Sequence, residues 1–313
     1  MTWLLAIALL LGAGWLWTPD KARSELEARY ARGPGDFVSA AGLRLHVRDS
    51  GAPGGQPAGQ PANQPNPPVV VLLHGFGSSL HTWEPWAQAL AGTRRVIRYD
   101  LPGAGLTGAD PTGDYSDERG MQVLLALLDQ LGVARASVVG HSMGGRLAFR
   151  FAAAHPGRVD KLVLVAPDGF ASPGFEYDKA PDVPALARLM RHALPKALLR
   201  MSLEPAYADT RLMTDDTVTR YHDMMLAPGV RDALLARMGQ MMLREPTAVL
   251  STIRAPTLLL WGDRDAMIPV VNAQDYLRVM PDARLVTLPS VGHLPHEEAP
   301  AASLPAVQAF LAQ

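Results

Sequence analysis

A serine flanked by two glycines is the feature of the sequence with the clearest chemical meaning. Gly140-His141-Ser142-Met143-Gly144 follows an apolar, β-branched run and precedes an alanine-rich one, which is typical of a sharp turn from a strand into a helix. Such a turn needs neighbours without bulk and projects the hydroxyl at the carboxyl end of the strand. The helix N-terminus beneath it favours negative charge that develops during a reaction. The pattern predicts Ser142 as a nucleophile.

A serine hydroxyl reacts when a base removes its proton, and the base needs an acid to orient it. The sequence offers both later in the chain. Asp263 and Asp265 end an apolar, strand-like run, and His293 follows the last such run. The chain order serine, aspartate, histidine predicts acyl transfer by a proton-relay triad.

The secondary-structure elements around these candidates have to bring them together. Along the chain, short β-rich runs alternate with helical patterns. The strand candidates are residues 43–49, 69–73, 95–100, 136–140, 161–166, 257–262 and 284–288. Several runs are uniformly apolar, as expected of strands covered by helices on both faces. A helix candidate at 117–132 presents one apolar face, formed by Met121, Leu124, Leu125, Leu128 and Leu131. The alternation predicts a doubly wound, mostly parallel sheet that binds ligands at the carboxyl ends of its strands.

Residues 169–250 interrupt this alternation with a helical block, which predicts an insertion into the sheet domain. Eight of the 13 methionines fall in it: Met190, Met201, Met213, Met224, Met225, Met238, Met241 and Met242. Methionine side chains are flexible and polarisable, so a surface rich in them adapts to varied apolar ligands. Ordinary helix packing is the alternative role for each of them.

The N-terminal residues 1–18 are uncharged and almost wholly apolar, and Trp15 and Trp17 lie at the end of the run. Tryptophan favours the membrane interface, so we expect a membrane anchor, or an exported protein if the segment is cleaved. We expect a bacterial inner membrane, and the flanking charges do not decide the side. Residues 19–35 are then a juxtamembrane linker, and residues 50–68, rich in Gly, Pro, Gln and Ala, a flexible surface loop.

Composition excludes several classes of function. Lys and Arg number 29 against 30 Asp and Glu, so no basic field favours nucleic acid. Without cysteine there is no disulfide, no thiolate nucleophile and no cysteine metal site. The glycine-rich segment at 74–79 lacks the lysine of a phosphate-binding loop, and the histidines form no H-E-x-x-H pattern. We expect no metal or other cofactor and a small molecule as the partner; the sequence does not fix the oligomeric state.

Four motifs make the chain resemble the α/β-hydrolase superfamily over residues 36–313. They are HGFGSS at 74–79, GHSMGG at 140–145, WGDRDAMIP at 261–269 and GHLPHEE at 292–298. The resemblance implies a doubly wound, mostly parallel, eight-stranded α/β-hydrolase sheet with a helical lid insertion. The sheet domain would comprise residues 36–168 and 251–313, and residues 169–250 would form the lid.

The resemblance also implies roles for individual residues. The family pattern G-x-x-D-x-x-x-P assigns the acid to Asp265, although some relatives carry it at the position of Asp168; Asp263 becomes a turn residue. The backbone amides of Phe76 and Met143 would form the oxyanion hole that stabilises a tetrahedral intermediate. The expected catalytic residues are therefore Ser142, Asp265 and His293.

We expect a serine hydrolase, a carboxylesterase or lipase, that cleaves esters of apolar acyl or aryl substrates through an acyl-enzyme intermediate. The alternatives on the same fold are a carbon–carbon bond hydrolase, a haloperoxidase-like enzyme and a proline aminopeptidase. The aminopeptidase would need an acidic clamp for the substrate amine, for which Glu176, Asp178 and Asp182 are candidates. His141, next to the serine, is expected to line the pocket rim. The alternative outside enzymology is a membrane-tethered binding module.

Overall fold

The computed structural model describes residues 17–51, 67–172, 176–179 and 182–313. Its strands are β1 Phe37–Ala40, β2 Leu43–Asp49, β3 Val69–Leu73, β4 Arg95–Tyr99, β5 Ala136–His141, β6 Val159–Val165, β7 Thr257–Gly262 and β8 Ala283–Leu288. Its α-helices are α1 Arg23–Tyr30, α2 Glu84–Leu90, α3 Asp117–Gln130, α4 Met143–Ala154, α5 Lys196–Leu203, α6 Asp215–Met225, α7 Val230–Gln240, α8 Thr247–Leu250, α9 Ala273–Val279, α10 Pro295–Glu298 and α11 Pro300–Ala312. Most of the predicted flexible loop at 50–68 lies outside the described residues, because 52–66 are not among them.

The eight strands form one sheet in the order β1-β2-β4-β3-β5-β6-β7-β8. β2 pairs antiparallel with both of its neighbours, and every other neighbouring pair is parallel. The chain builds the sheet outward in one direction from β3 to β4 and in the other from β5 to β8, so a topological switch point lies between β3 and β5. The prediction of a doubly wound, mostly parallel, eight-stranded α/β sheet is confirmed. Ligands of such sheets bind at this switch point.

The central strands read as apolar runs because helices cover both faces of the sheet. β5 and β7 are buried along their whole length. Residues of α3, α4 and α9 form the core on one face. The core on the other face contains Trp83, Trp86 and Phe310, contributed by the region of α2 and by α11. With both faces occupied, the carboxyl ends of the parallel strands are the part of the sheet left for a ligand.

Between β6 and β7 the chain leaves the sheet and forms α5, α6, α7 and α8; we call this part the helical insertion. Thr214 caps α6 by accepting a hydrogen bond from the amide of Thr217. Met213 and Met224 are buried as ordinary core residues, whereas Met201 is 63% exposed. The methionines of the insertion therefore do not share one role. The predicted limits of a lid, 169–250, stay a prediction.

The structure does not support the membrane anchor that was predicted at residues 1–18. Among the residues that the structure describes, no helix is both long and apolar enough to cross a membrane. Residues 1–16, which make up most of the predicted anchor, lie outside the described part of the chain. The predicted localisation at an inner membrane, with export as its alternative, rested on the apolar run and on the two tryptophans at its end, and it is contradicted.

The first described residues, which include the linker predicted at 19–35, pack against the helical insertion. The backbone amides of Thr18 and Lys21 donate to carbonyl groups of the insertion, at 2.8 Å each. Leu26 on α1 is 1% exposed and joins a small core with side chains of α6 and α7. This segment is therefore an integral part of the folded protein.

Candidate active site

Ser142 connects β5 to α4 and has a backbone conformation that L-residues rarely adopt, with φ 51° and ψ −120°. Its amide donates to the carbonyl of Val165 at 3.0 Å, and its carbonyl accepts the amides of Gly145 and Asp168 at 2.8 and 3.0 Å. These bonds tie the turn to β6 and to the helix that follows, and they hold the strained conformation in place. Strained backbone of this kind is concentrated at functional sites.

The glycines around the serine are required by close approach of backbone to backbone. A Cβ atom on Gly140 would lie 2.2 Å from the carbonyl oxygen of Gly144. A Cβ on Gly144 would lie 2.4 Å from the carbonyl oxygen of Leu73, at the end of β3. Since Cβ atoms do not approach other atoms so closely, only glycine lets the turn pack beside β3. The spacing of the motif is therefore a packing requirement of the turn that presents Ser142.

His293 follows β8, and its Nδ1 lies 2.7 Å from Oδ2 of Asp265, which follows β7. The imidazole is 4% exposed and the carboxylate 0%. The other carboxylate oxygen accepts the amides of Met267 and Ile268 at 2.9 and 2.8 Å. A carboxylate beside Nδ1 favours the tautomer with its proton on that atom and leaves Nε2 free to act as a base.

The other two candidates for the acid have different partners. Asp263 accepts the amide of Ser290 at 2.7 Å. Asp168 binds Nη1 of Arg146 at 2.7 Å. Of the three aspartates, Asp265 is the one that contacts the imidazole of His293, which supports it as the acid of the predicted triad.

Ser142 and His293 line one cavity of about 560 Å³, and so do Phe76 and Met143. Met143 is the first residue of α4, so its N–H is one of the first-turn amides that have no acceptor within the helix. Phe76 follows β3 on the other side of the switch point. The cavity thus brings the predicted nucleophile, the predicted base and both predicted oxyanion residues around one space.

The remaining cavity wall has an apolar part and a charged part. The apolar residues include Phe170, Met241, Leu243, Met267 and Ile268. The charged residues are Arg146, Asp168, Glu176, Lys179 and Asp182. Two of the three candidate clamp acids therefore reach the cavity, and Asp178 does not. Over the described ranges, no group of three or more histidine, aspartate and glutamate side chains could hold a metal ion.

Two further imidazoles, those of His141 and His296, lie beside that of His293. The ring centroid of His141 is 4.6 Å from that of His293 and 4.7 Å from that of His296. His141 is 3% exposed and its Nε2 donates to the carbonyl of His293 at 2.8 Å. The expectation that His141 lines the pocket rim is wrong, because β5 directs this side chain inward just before the turn. Burial lowers the pKa of both His141 and His296 well below the usual value, which keeps these two imidazoles neutral.

Sequence reasoning missed Arg146, a buried residue of the cavity wall. Its guanidinium is held by Asp168 at 2.7 Å and by Asp117 at 3.2 Å. Arg146 lies four residues after Ser142, on the same side of α4, and this helical spacing was the available signal. It adds a charged, already paired group close to the nucleophile.

Comparisons with known proteins agree with this architecture. A family model described as the alpha/beta hydrolase fold matches residues 68–300. The dihydrolipoyllysine-residue acetyltransferase component of the acetoin cleaving system of Pseudomonas putida is 34% identical over 233 residues, which cover 74% of this chain but only 60% of that relative. The 2-hydroxy-6-oxononadienedioate/2-hydroxy-6-oxononatrienedioate hydrolase of Burkholderia vietnamiensis is 33% identical over 264 residues, covering 80% of this chain and 85% of the relative. The structure of a meta-cleavage product hydrolase from Pseudomonas fluorescens has a TM-score of 0.73 at 23% identity, covers 88% of this chain and 97% of that chain, and shows the shared fold.

Proposed function

The chain belongs to the α/β-hydrolase fold family and is a hydrolase, and on this premise we propose that it acts as a serine hydrolase on a carbonyl group of a small molecule. Ser142 is the nucleophile, His293 the general base and Asp265 the acid that orients the base. The observation that carries the proposal is the buried His293–Asp265 pair, which opens into the same cavity as the strained serine.

The reaction follows from the groups around the cavity. Ser142 Oγ adds to the carbonyl carbon while Nε2 of His293 takes the hydroxyl proton, and Asp265 stabilises the imidazolium. The amides of Phe76 and Met143 donate to the oxyanion; losing one such donor typically raises a barrier by about 2.7–4 kcal/mol. Collapse breaks the bond to the leaving group, which receives the proton from His293. Water then adds to the acyl carbon with His293 as base and releases the acid and Ser142.

The bond that is cleaved is the finer part of the proposal. Relatives named as hydrolases of 2-hydroxy-6-oxo-dienoates and of meta-cleavage products favour a carbon–carbon bond next to a carbonyl group. We place this alternative ahead of the carboxylic ester expected from sequence. An ester of an apolar acid stays the second candidate, because the cavity wall includes Phe170, Met241 and Leu243.

The helical insertion is proposed as a lid that shapes the substrate pocket. Met241 and Leu243, which follow α7, supply part of the apolar wall. Glu176, Lys179 and Asp182 are the exposed charged residues of this wall. Because the insertion contributes a wall but none of the three catalytic side chains, we expect it to set substrate preference and the sheet domain to set the chemistry.

Covalent labelling and turnover of the Ser142→Ala variant test the proposal. The parent protein should react with a fluorophosphonate, and the variant should not, because the reagent needs an activated serine. Turnover of both p-nitrophenyl esters and a 2-hydroxy-6-oxo-dienoate should fall by several orders of magnitude, toward the roughly 10⁶-fold loss of a triad serine.

Ser251→Ala, at an exposed serine that follows α8, is the matched control and should label and turn over like the parent. A Ser142→Ala variant that still labels and still turns over substrate contradicts the serine mechanism. A parent protein that neither labels nor hydrolyses either substrate supports the binding-module alternative. The ratio of kcat/KM for the dienoate and the ester decides between the two bond types.

A further inference from the structure

The loop that carries His293 is joined to the helical insertion by one buried carboxylate, Glu298. Its Oε2 accepts the amide of Gly292 at 2.7 Å, and its Oε1 accepts the amides of Ala208 and Asp209 at 2.8 and 2.9 Å. Glu298 is 8% exposed. Gly292 immediately precedes His293, whereas Ala208 and Asp209 belong to the insertion. One side chain therefore bridges two segments that lie far apart in the sequence.

The bridge requires both carboxylate oxygens of Glu298 to act as hydrogen-bond acceptors. Within the described part of the chain, Glu298 has no cationic partner, whereas the adjacent Glu297 binds Arg220, Tyr207 and Tyr221. The described partners of Glu298 are three backbone N–H groups. Hydrogen bonds from N–H to an ionised carboxylate are stronger than those between neutral groups, and a side chain with a donor at one end cannot satisfy both sides.

The backbone of His293 is held on both of its polar groups as well. Its amide donates to the carbonyl of Ala206 at 2.8 Å, and its carbonyl accepts Nε2 of His141 at 2.8 Å. A Cβ atom on Gly292 would lie 2.6 Å from the amide nitrogen of Ala208 and 2.9 Å from Oε2 of Glu298. The loop thus packs against the insertion with no room for a side chain. The position of the imidazole is defined by this contact as much as by Asp265.

We propose that Glu298 is a positioning residue for the reaction: it fixes the loop of His293 to residues 206–209 of the insertion and thereby places the imidazole opposite Ser142. The inference rests on the proposed role of His293 as the base. It implies that this part of the insertion, between α5 and α6, is a fixed part of the catalytic centre. Any opening of the pocket then takes place in the other parts of the insertion.

The Glu298→Gln variant tests the inference with nearly unchanged side-chain volume. The amide group turns its NH₂ toward either Gly292 or the Ala208–Asp209 pair, so one side of the bridge loses its hydrogen bonds. A small displacement of a catalytic group reduces turnover by on the order of 10²-fold. We expect kcat per folded molecule and the rate of fluorophosphonate labelling to fall together by about 10- to 100-fold, with KM changed less than about threefold.

Asp263→Asn is the matched control. Asp263 also accepts a backbone amide of the segment after β8, that of Ser290 at 2.7 Å, but it does not contact the insertion. This variant should keep the parent kcat. A purely structural role of Glu298 would lower the melting temperature and leave kcat of the folded fraction at the parent value, which overturns the inference.

The two proposals fail in different ways. Activity that survives in Ser142→Ala contradicts the proposed function, whatever Glu298→Gln does. Activity that is lost in Ser142→Ala but kept in a folded Glu298→Gln overturns the positioning role alone. Where the glutamine variant does not fold, Glu298→Asp replaces it, because it keeps the charge and shortens the reach by one methylene. A drop in kcat of threefold or more in this variant supports the inference, and an unchanged kcat overturns it.

Discussion

Asp265 accepts three hydrogen bonds, one from the imidazole of His293 and two from backbone amides of its own turn. These amides fix the carboxylate so that its other oxygen meets the imidazole. Asp168, the alternative acid, occupies a comparable place at the end of β6 but is turned toward Arg146. The two aspartates therefore give a direct comparison between a carboxylate that contacts the imidazole of His293 and one that pairs with a cation.

Exchanging each of these acids for its amide separates the two roles. Asp265→Asn should lower kcat by about 10⁴-fold, because an amide stabilises the wrong imidazole tautomer. Asp168→Asn should lower kcat by less than about tenfold, since Arg146 keeps its contact with Asp117 and His293 keeps its acid. Steady-state kinetics of the two variants at one pH measure the difference. Equal losses, or a larger loss at Asp168, would contradict the assignment of the acid.

The site could be predicted only as far as its residues follow from motif spacing. The glycines flanking Ser142 and the aspartate four residues before Pro269 are visible in the sequence, because tight turns restrict which residues fit. Glu298 and His141 lie inside two of the motifs, at 292–298 and 140–145, but the motifs did not indicate what either side chain contacts. Their roles come from contacts with the insertion and with His293, between segments whose distance apart in the sequence carries no pattern.

At the scale of elements, uniform apolar runs predicted the strands well, but the face of a helix was harder to place. The buried residues of α3 are Val123, Leu124, Leu127 and Leu128. The predicted face included Met121, Leu125 and Leu131, which are only partly buried. Leucines lie on two sides of this helix. The spacing of its apolar residues therefore fits two alternative buried faces, offset from each other by about one residue. The packing of α3 against α4 and β1 selects one of them.

Several elements had no predicted counterpart, and two of them, β1 and α1, are short. β1 is a four-residue strand with one buried side chain, so it lacks a clear alternation. α1 has eight residues and a single buried side chain, Leu26. Its position is set by long-range contacts with α6 and α7. In particular, Asp223 on α6 is 1% exposed and binds Lys21 at 2.9 Å, Arg29 at 2.9 Å and Tyr30 at 2.7 Å.

Removing the charge of Asp223 tests whether this carboxylate holds the N-terminal segment in place. Asp223→Asn should lose charge-assisted hydrogen bonds, and because Lys21 and Arg29 are partly exposed, we expect local stability to fall by about 1.5 kcal/mol, the lower end of the range for such bonds. Amide hydrogen exchange should therefore become faster in α1 while β3 to β7 keep their protection. Glu25→Gln, in an exposed pair with Lys21, is the control. Uniformly unchanged protection in α1 would contradict the role of Asp223.

For the whole molecule, buried neutral histidines link stability to pH. Burial lowers the pKa of His81 to about 3, and it lowers the pKa of three further imidazoles, those of His74, His141 and His296. In the unfolded chain each would take up a proton near pH 6.5. The unfolded state then binds more protons than the folded state, so the free energy of unfolding decreases as the pH falls below about 6.5.

Urea unfolding between pH 7 and pH 5.5 measures this effect. Each of the four imidazoles contributes at most about 1.4 kcal/mol per pH unit. His81→Gln should make the dependence shallower by up to that amount, regardless of its effect on stability at pH 7. The same substitution at the exposed His192 is the control for loss of a surface histidine. A free energy of unfolding that stays constant over this interval would contradict the burial of neutral imidazoles.

Close packing of the backbone around Ser142 restricts which substitutions can accumulate there during evolution. Gly140 and Gly144 admit no other residue without moving a strand or a helix. Met241 and Leu243, by contrast, lie on a cavity wall outside the sheet, where exchanges between side chains alter the shape of the pocket. Positions that tolerate substitution and positions that do not therefore lie in different parts of the structure. New substrate ranges can arise by substitution at this wall, away from residues 206–209, while the reaction step is inherited unaltered.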